Sequence, residues 1–179
     1  MLKCQALLLA SLLMYSGNHE GNADIIDNYD ITGSCDFEYV HPITKQTSCY
    51  LYKDEHVNWF TANKNCNENG GLLMNIETPY ENNFIKKHVA KFDRNIWLGL
   101  RKTNVGDFIY STVVRHFTDF HPDEGKPGDK GDGACVHMFT SKKQFLWNDI
   151  PCTNTEKVDG KPFAYICEFR RGEHMPWYW

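Results

Sequence analysis

Ile96-Trp97-Leu98-Gly99-Leu100 is the stretch on which the reading of this chain turns. Every residue in it is apolar or glycine, which fits a short strand buried on both faces. Downstream, Phe108-Ile109-Tyr110, Cys135-Val136-His137-Met138-Phe139, Gln144-Phe145-Leu146-Trp147 and Phe163-Ala164-Tyr165-Ile166-Cys167 have the same texture and predict further strands. From Thr118 to Ala134 the chain is dominated instead by Gly, Pro, Asp and Lys. A loop of that length inside a compact domain is uncommon and usually carries function.

On the N-terminal side the period changes. Trp59, Ala62 and Cys66 recur at the spacing of one helical face, with Asn58 as N-cap and Asn69-Gly70-Gly71 as the stop. A second helix is predicted to start at Thr78, with Pro79 in its first turn and Glu81 completing a capping box. Its apolar face uses Phe84, Ile85, His88 and Val89, and His88 reads as a packed helix residue. Earlier still, Tyr39-Val40 and Cys49-Tyr50-Leu51-Tyr52 flank a polar turn around Pro42 to Gln46, a hairpin signal.

The first residues place the chain in a compartment. Lys3 precedes an apolar run from Ala6 to Tyr15, and polar residues resume at Ser16. The run is too short to span a bilayer, which needs about 20 residues, and has the layout of a signal peptide. Cleavage is expected after Gly17 or as late as Ala23, leaving a secreted chain with no membrane span. Removing the leader removes Cys4 and leaves Cys35, Cys49, Cys66, Cys135, Cys152 and Cys167. An even number in an oxidising compartment implies three disulfides, in any of 15 pairings. Residues 18–34, rich in Asn, Asp and Gly, read as a flexible segment. A net charge of −4 argues against nucleic acid as a partner.

In order, these features are a cysteine-bearing hairpin, two helices, a Trp-Leu-Gly-Leu strand, a long loop and then Cys135, Trp147-Asn148-Asp149, Cys152 and Cys167. This order resembles the C-type lectin domain, in the long form with an N-terminal hairpin, over residues 35–168. Phe117-Thr118-Asp119-Phe120 resembles the family segment that enters the long loop. The resemblance implies an α+β fold of two helices and two small antiparallel sheets, with bridges Cys35–Cys49, Cys66–Cys167 and Cys135–Cys152. Residues 169–179 then form an aromatic tail ending Met175-Pro176-Trp177-Tyr178-Trp179.

The same resemblance implies a calcium and sugar site. Sugar-binding members flank a loop proline with two carboxylate or amide residues, place another acid before the closing cysteine, and add an Asn-Asp pair after a strand Trp. Here Asn148 and Asp149 follow Trp147, but the best-placed proline, Pro127, lies between Lys126 and Gly128, and Gly133-Ala134 stand before Cys135. Lys126 has no acceptor to offer a cation. Asp123, Glu124, Asp129 and Asp132 lie in the same loop. They read either as solvated charges, one of them pairing with Lys126, or as shifted ligands, Asp129 and Asp132 above all. Asn148-Asp149 before Ile150-Pro151 is also compatible with a turn, since Asx side chains bond nearby backbone.

The sequence holds no Gly-x-Ser-x-Gly elbow, His-Glu-x-x-His helix or phosphate-cradling glycine motif, so it does not read as an enzyme. The expectation is a secreted lectin that binds a glycan or glycoprotein, with ligand residues Asn148, Asp149, Lys126, Asp129 and Asp132. Calcium, if taken, would sit on Asn148, Asp149, Asp129 and Asp132. The alternative is a calcium-independent module for a protein or surface ligand.

Overall fold

The computed structural model describes residues 34–102, 108–110, 113–114, 117–122, 134–140 and 144–171. Residues 1–33, which include the expected leader and flexible segment, and residues 172–179 of the expected tail lie outside the described residues. The elements are β1 (Phe37–Val40), β2 (Thr47–Lys53), α1 (Trp59–Glu68), β3 (Leu72–Leu73), α2 (Pro79–Val89) and β4 (Asn95–Lys102). After them come β5 (Phe108–Tyr110), β6 (Val113–Val114), β7 (Ala134–Phe139), β8 (Leu146–Pro151) and β9 (Phe163–Arg171). β9 therefore runs past Glu168 through Phe169, Arg170 and Arg171.

Local chemistry explains both helices. The Asn58 side chain accepts from the Thr61 N–H and starts α1; Gly70, at φ 74°, follows its C-terminus. Thr78 Oγ1 accepts from the Glu81 N–H, with Pro79 opening α2. Glu81 reaches back one residue further than a capping box requires and accepts from the Glu77 N–H at 2.7 Å. His88 is packed as expected, stacked on Phe37 with ring centroids 4.7 Å apart.

The two antiparallel groups expected from the sequence are present but not separate. β2 and β3 pair with β9, and β1 with β2; β5 and β7 pair with β4, and β8 with β7, all antiparallel. A parallel pairing of β4 with β9, Asn95↔Phe163 to Trp97↔Tyr165, joins them into one sheet. Both partners are buried on both faces, as strands in parallel contact usually are.

Gly99 makes the centre of this arrangement possible. Its N–H donates to Met74 O at 2.8 Å, and a Cβ there would stand 2.4 Å from Leu73 O and 2.5 Å from Asn75 Oδ1. Only glycine lets the β3 segment pass so close to β4. The core above it collects Met74, Ile76, Ile85, Val89, Ile96, Leu98, Leu100, Val136, Met138, Trp147 and Ile166.

All three bridges pair as the resemblance implies: Cys35–Cys49, Cys66–Cys167 and Cys135–Cys152. Cys66–Cys167 ties α1 to β9 across 101 residues. Cys135–Cys152 joins β7 to the residue just after β8, at the foot of the long loop. Among the described residues no helix is long and apolar enough to cross a membrane.

Candidate functional site

Asn148 and Asp149 lie inside β8 and not in a turn. Asx residues are poor strand formers, but six consecutive pairings with β7, from Ala134↔Pro151 to Phe139↔Leu146, override that preference. In this register Trp147 faces Met138, Asn148 faces His137 and Asp149 faces Val136. Because side chains alternate along a strand, Trp147 and Asp149 point to one face and Asn148 to the other.

Trp147 is fully buried. Phe117 and Phe120 meet it edge-on, with centroids at 5.5 and 5.9 Å. Residues 117–122 pass beside β8 and pair with it through a single parallel bridge, Phe120↔Trp147. Asp119 O accepts from the Trp147 N–H at 2.8 Å, and the His121 N–H donates to Trp147 O at 2.9 Å. The Asp119 carboxylate is gripped from α2: Asn82 Nδ2 donates to its Oδ2 at 2.7 Å, and Lys86 Nζ bonds the same oxygen.

The two predicted site residues have different surroundings. Asp149 is only 1% exposed. Asn148 is half-buried, yet its Oδ1 is shielded and has no hydrogen-bond partner among the described residues. A shielded acceptor left unbonded costs about 1–3 kcal/mol, so native proteins seldom keep one without use. Opposite it, His137 is fully buried between Trp97, Phe139 and Phe163. Burial pushes the imidazole down to about 4, so it is neutral at physiological pH.

Chemically, Asn148 offers an amide oxygen without a partner among the described residues, on the strand position next to a carboxylate. Oxygen donors of this kind suit a hard cation or a hydroxyl-rich ligand. Calcium needs six to eight oxygens, and among the described residues no three His, Cys, Asp or Glu side chains gather into a metal-ligating group. The donor chemistry of Asn148 and Asp149 fits calcium, but as part of a set. The other predicted site residues, Lys126, Asp129 and Asp132, lie outside the described residues, as do Asp123 and Glu124.

Sequence reasoning did not single out His137, Asp119 or Asn82, and a basic pair such as Lys86-Lys87 reads as solvated surface, whereas Lys86 is largely shielded and bonds Asp119. Asp119 stood within the segment read as the loop entrance, but no apolar–polar alternation marked His137, because β7 is buried at nearly every position. Nothing local links Asp119 to Asn82 and Lys86, 37 and 33 residues earlier.

Fold and disulfide frame together define a C-type lectin-like protein. The family model described as Lectin C-type domain matches residues 55–169, and the chain belongs to that family. It is 35% identical over 129 residues to C-type lectin domain family 4 member G of Mus musculus, covering 70% of this chain and 40% of that protein. It is 29% identical over 128 residues to a perlucin-like protein of Mytilus galloprovincialis, covering 68% of this chain and 76% of the relative. Among solved structures, the cow carbohydrate-recognition domain of CD23, crystallised in the presence of a GlcNAc2Man3 oligosaccharide, matches with TM-score 0.56 and 26% identity. That match covers 70% of this chain and 89% of the domain. This chain thus spans less than half the length of its mouse relative.

Proposed function

We propose that this protein is a secreted lectin whose β8 residues Asn148 and Asp149 meet the hydroxyls of a glycan, with Asp129, Asp132 and Lys126 of the long loop completing the site. The reading is carried by one observation: the shielded Oδ1 of Asn148, which has no hydrogen-bond partner among the described residues, at the strand position next to the buried Asp149. Sugar hydroxyls both donate and accept, so they can donate to that oxygen while accepting from Lys126. Charge-assisted bonds of this type are short and directional, which favours one hydroxyl stereochemistry over another. The crystallisation of the CD23 domain with an oligosaccharide supports the ligand class.

Asn148, Asp149, Asp129 and Asp132 are the residues that would hold calcium. The ion, when bound, supplies a positive centre that takes sugar oxygens directly. With Lys126 and Gly128 flanking Pro127, the oxygen set is short, and weak affinity follows from the low ligand count.

A second reading, a calcium-independent module for a protein or surface ligand, is favoured by that same Lys126-Pro127-Gly128 stretch, where a cation stands in place of an acceptor. Calorimetric titration with calcium and a glycan array with and without chelator separate the two. The lectin reading expects array signals that disappear in Asn148→Ala and Asp149→Asn. No glycan signal under either condition rejects it, and signals that survive chelator reject the calcium arm alone.

A further inference from the structure

We infer that Asp119 is a positioning residue for the β8 site, through which helix α2 fixes the base of the long loop. The geometry has two halves. On one side, Asn82 and Lys86, one helical turn apart on a single face of α2, converge on the same Asp119 oxygen. On the other, the backbone of Asp119 and His121 brackets Trp147 from both its N–H and its C=O. Trp147 is the residue immediately before Asn148 and Asp149. A displacement of Asp119 therefore loosens both backbone bonds of Trp147, the residue that leads into the site, and not merely the loop.

The clamp has a rigid foundation. α2 is capped by Thr78, buried through Ile85 and Val89, and tied to β2 by the bond from Tyr50 to Glu81. The carboxylate and the ammonium are about three-quarters shielded, at 26% and 22% exposure. That separates the pair from ordinary surface ion pairs, which hold little in place. The aromatic contacts of Phe117 and Phe120 with Trp147 add shape but no directional restraint. The polar grip from α2 supplies the direction.

The consequence for Asn148 and Asp149 rests on the proposed function; the effect on backbone order does not. Both are tested on the full chain with Asp119→Ala, Lys86→Met and the conservative rescue Asp119→Asn, which keeps an acceptor for both donors. Amide hydrogen exchange at His121 and Trp147 is expected to accelerate about tenfold or more in Asp119→Ala and Lys86→Met, and to recover in Asp119→Asn, with β4 and β9 amides unchanged. Exchange that stays at wild-type rates overturns the inference. So does acceleration spread equally through β4 and β9, which would make Asp119 a residue of global stability. In calorimetry with calcium alone, the affinity of Asp119→Ala is expected to fall about tenfold, the scale on which supporting residues act at metal sites. Equal affinities in wild type and variants overturn the link to the site. If the wild type takes up no calcium, the calcium arm of the proposed function falls, and the exchange data alone decide the role of Asp119.

Discussion

The Tyr50 hydroxyl donates to Glu81 Oε1 at 2.7 Å, deep inside a cluster that holds a second buried carboxylate, Glu168. Glu168 accepts from Ser48 Oγ at 2.8 Å, from the Asn75 N–H at 3.1 Å and from Arg170 Nε at 2.8 Å. Arg170 also binds Glu77. One guanidinium thus serves Glu168 and Glu77, while Glu81 has only neutral donors. Its burial, with the nearby Glu168 charge, pushes its carboxyl up to about 7.

A pH dependence follows from that shift. The folded value lies above the unfolded 4.5, so the folded state holds the extra proton between the two. Stability from this group is complete below about 4.5 and is lost as pH rises through about 7, by on the order of 3 kcal/mol. Urea unfolding at pH 5 and pH 8 should show the lower midpoint at pH 8, and Glu81→Gln should flatten the difference. Tyr39 and Tyr50 also face Glu81, but both are raised above the usual phenol range and stay neutral throughout. A wild type equally stable at both pH values would contradict a protonated Glu81.

Gly99→Ala should cost roughly 1–3 kcal/mol or more, because the new methyl meets the backbone oxygen of Leu73 at 2.4 Å as well as the Asn75 side chain, and the backbone cannot swing aside. Gly160 gives the contrast. It sits at φ +72 with nothing within 4 Å of a Cβ, so Gly160→Ala should lose only the backbone strain, about 1 kcal/mol. Chemical denaturation of the two variants side by side checks the order. Equal losses would mean that β3 can yield to a side chain at position 99.

The bridges should rank by the chain they close. Loop entropy puts Cys66–Cys167, at a separation of 101, on the order of 4–5 kcal/mol, and Cys35–Cys49, at 14, near 3. Cys66 and Cys167 are also buried, whereas Cys35 is half-exposed. The double variant Cys66→Ala/Cys167→Ala should therefore unfold at distinctly lower urea than Cys35→Ala/Cys49→Ala. The reverse order would refute the entropic account for this fold.

What could be read in the sequence was what short-range chemistry decides. Asn58, Thr78 and Pro79 announced the helices because capping is settled within four residues. The buried strand at Ile96 was legible because a continuous apolar run has few alternatives. The β4–β9 parallel contact, the passage of β3 under Gly99 and the grip of α2 on Asp119 were not, since each joins segments far apart in the chain. Glu81 shows a subtler limit. It was read as a capping residue, which it is, but charged side chains are almost never fully buried unless paired, and nothing local marked it as an exception. Asn148-Asp149 allowed a turn reading because local preference favours one; pairing with β7 decided for strand.

Neighbouring positions in β8 should separate stability from binding. Trp147 is fully enclosed by Phe117, Phe120 and the central core, so Trp147→Ala should cost about 3–5 kcal/mol. Asn148→Ala removes an oxygen that bonds nothing among the described residues, so its stability should stay within about 0.5 kcal/mol of wild type or rise. Structural residues cannot be removed so cheaply, whereas binding residues often can, because their polar atoms wait for a ligand. Thermal unfolding of the two variants gives the comparison directly. A loss above about 2 kcal/mol for Asn148→Ala would show that its side chain holds the fold, and would take from the proposed site the observation it rests on.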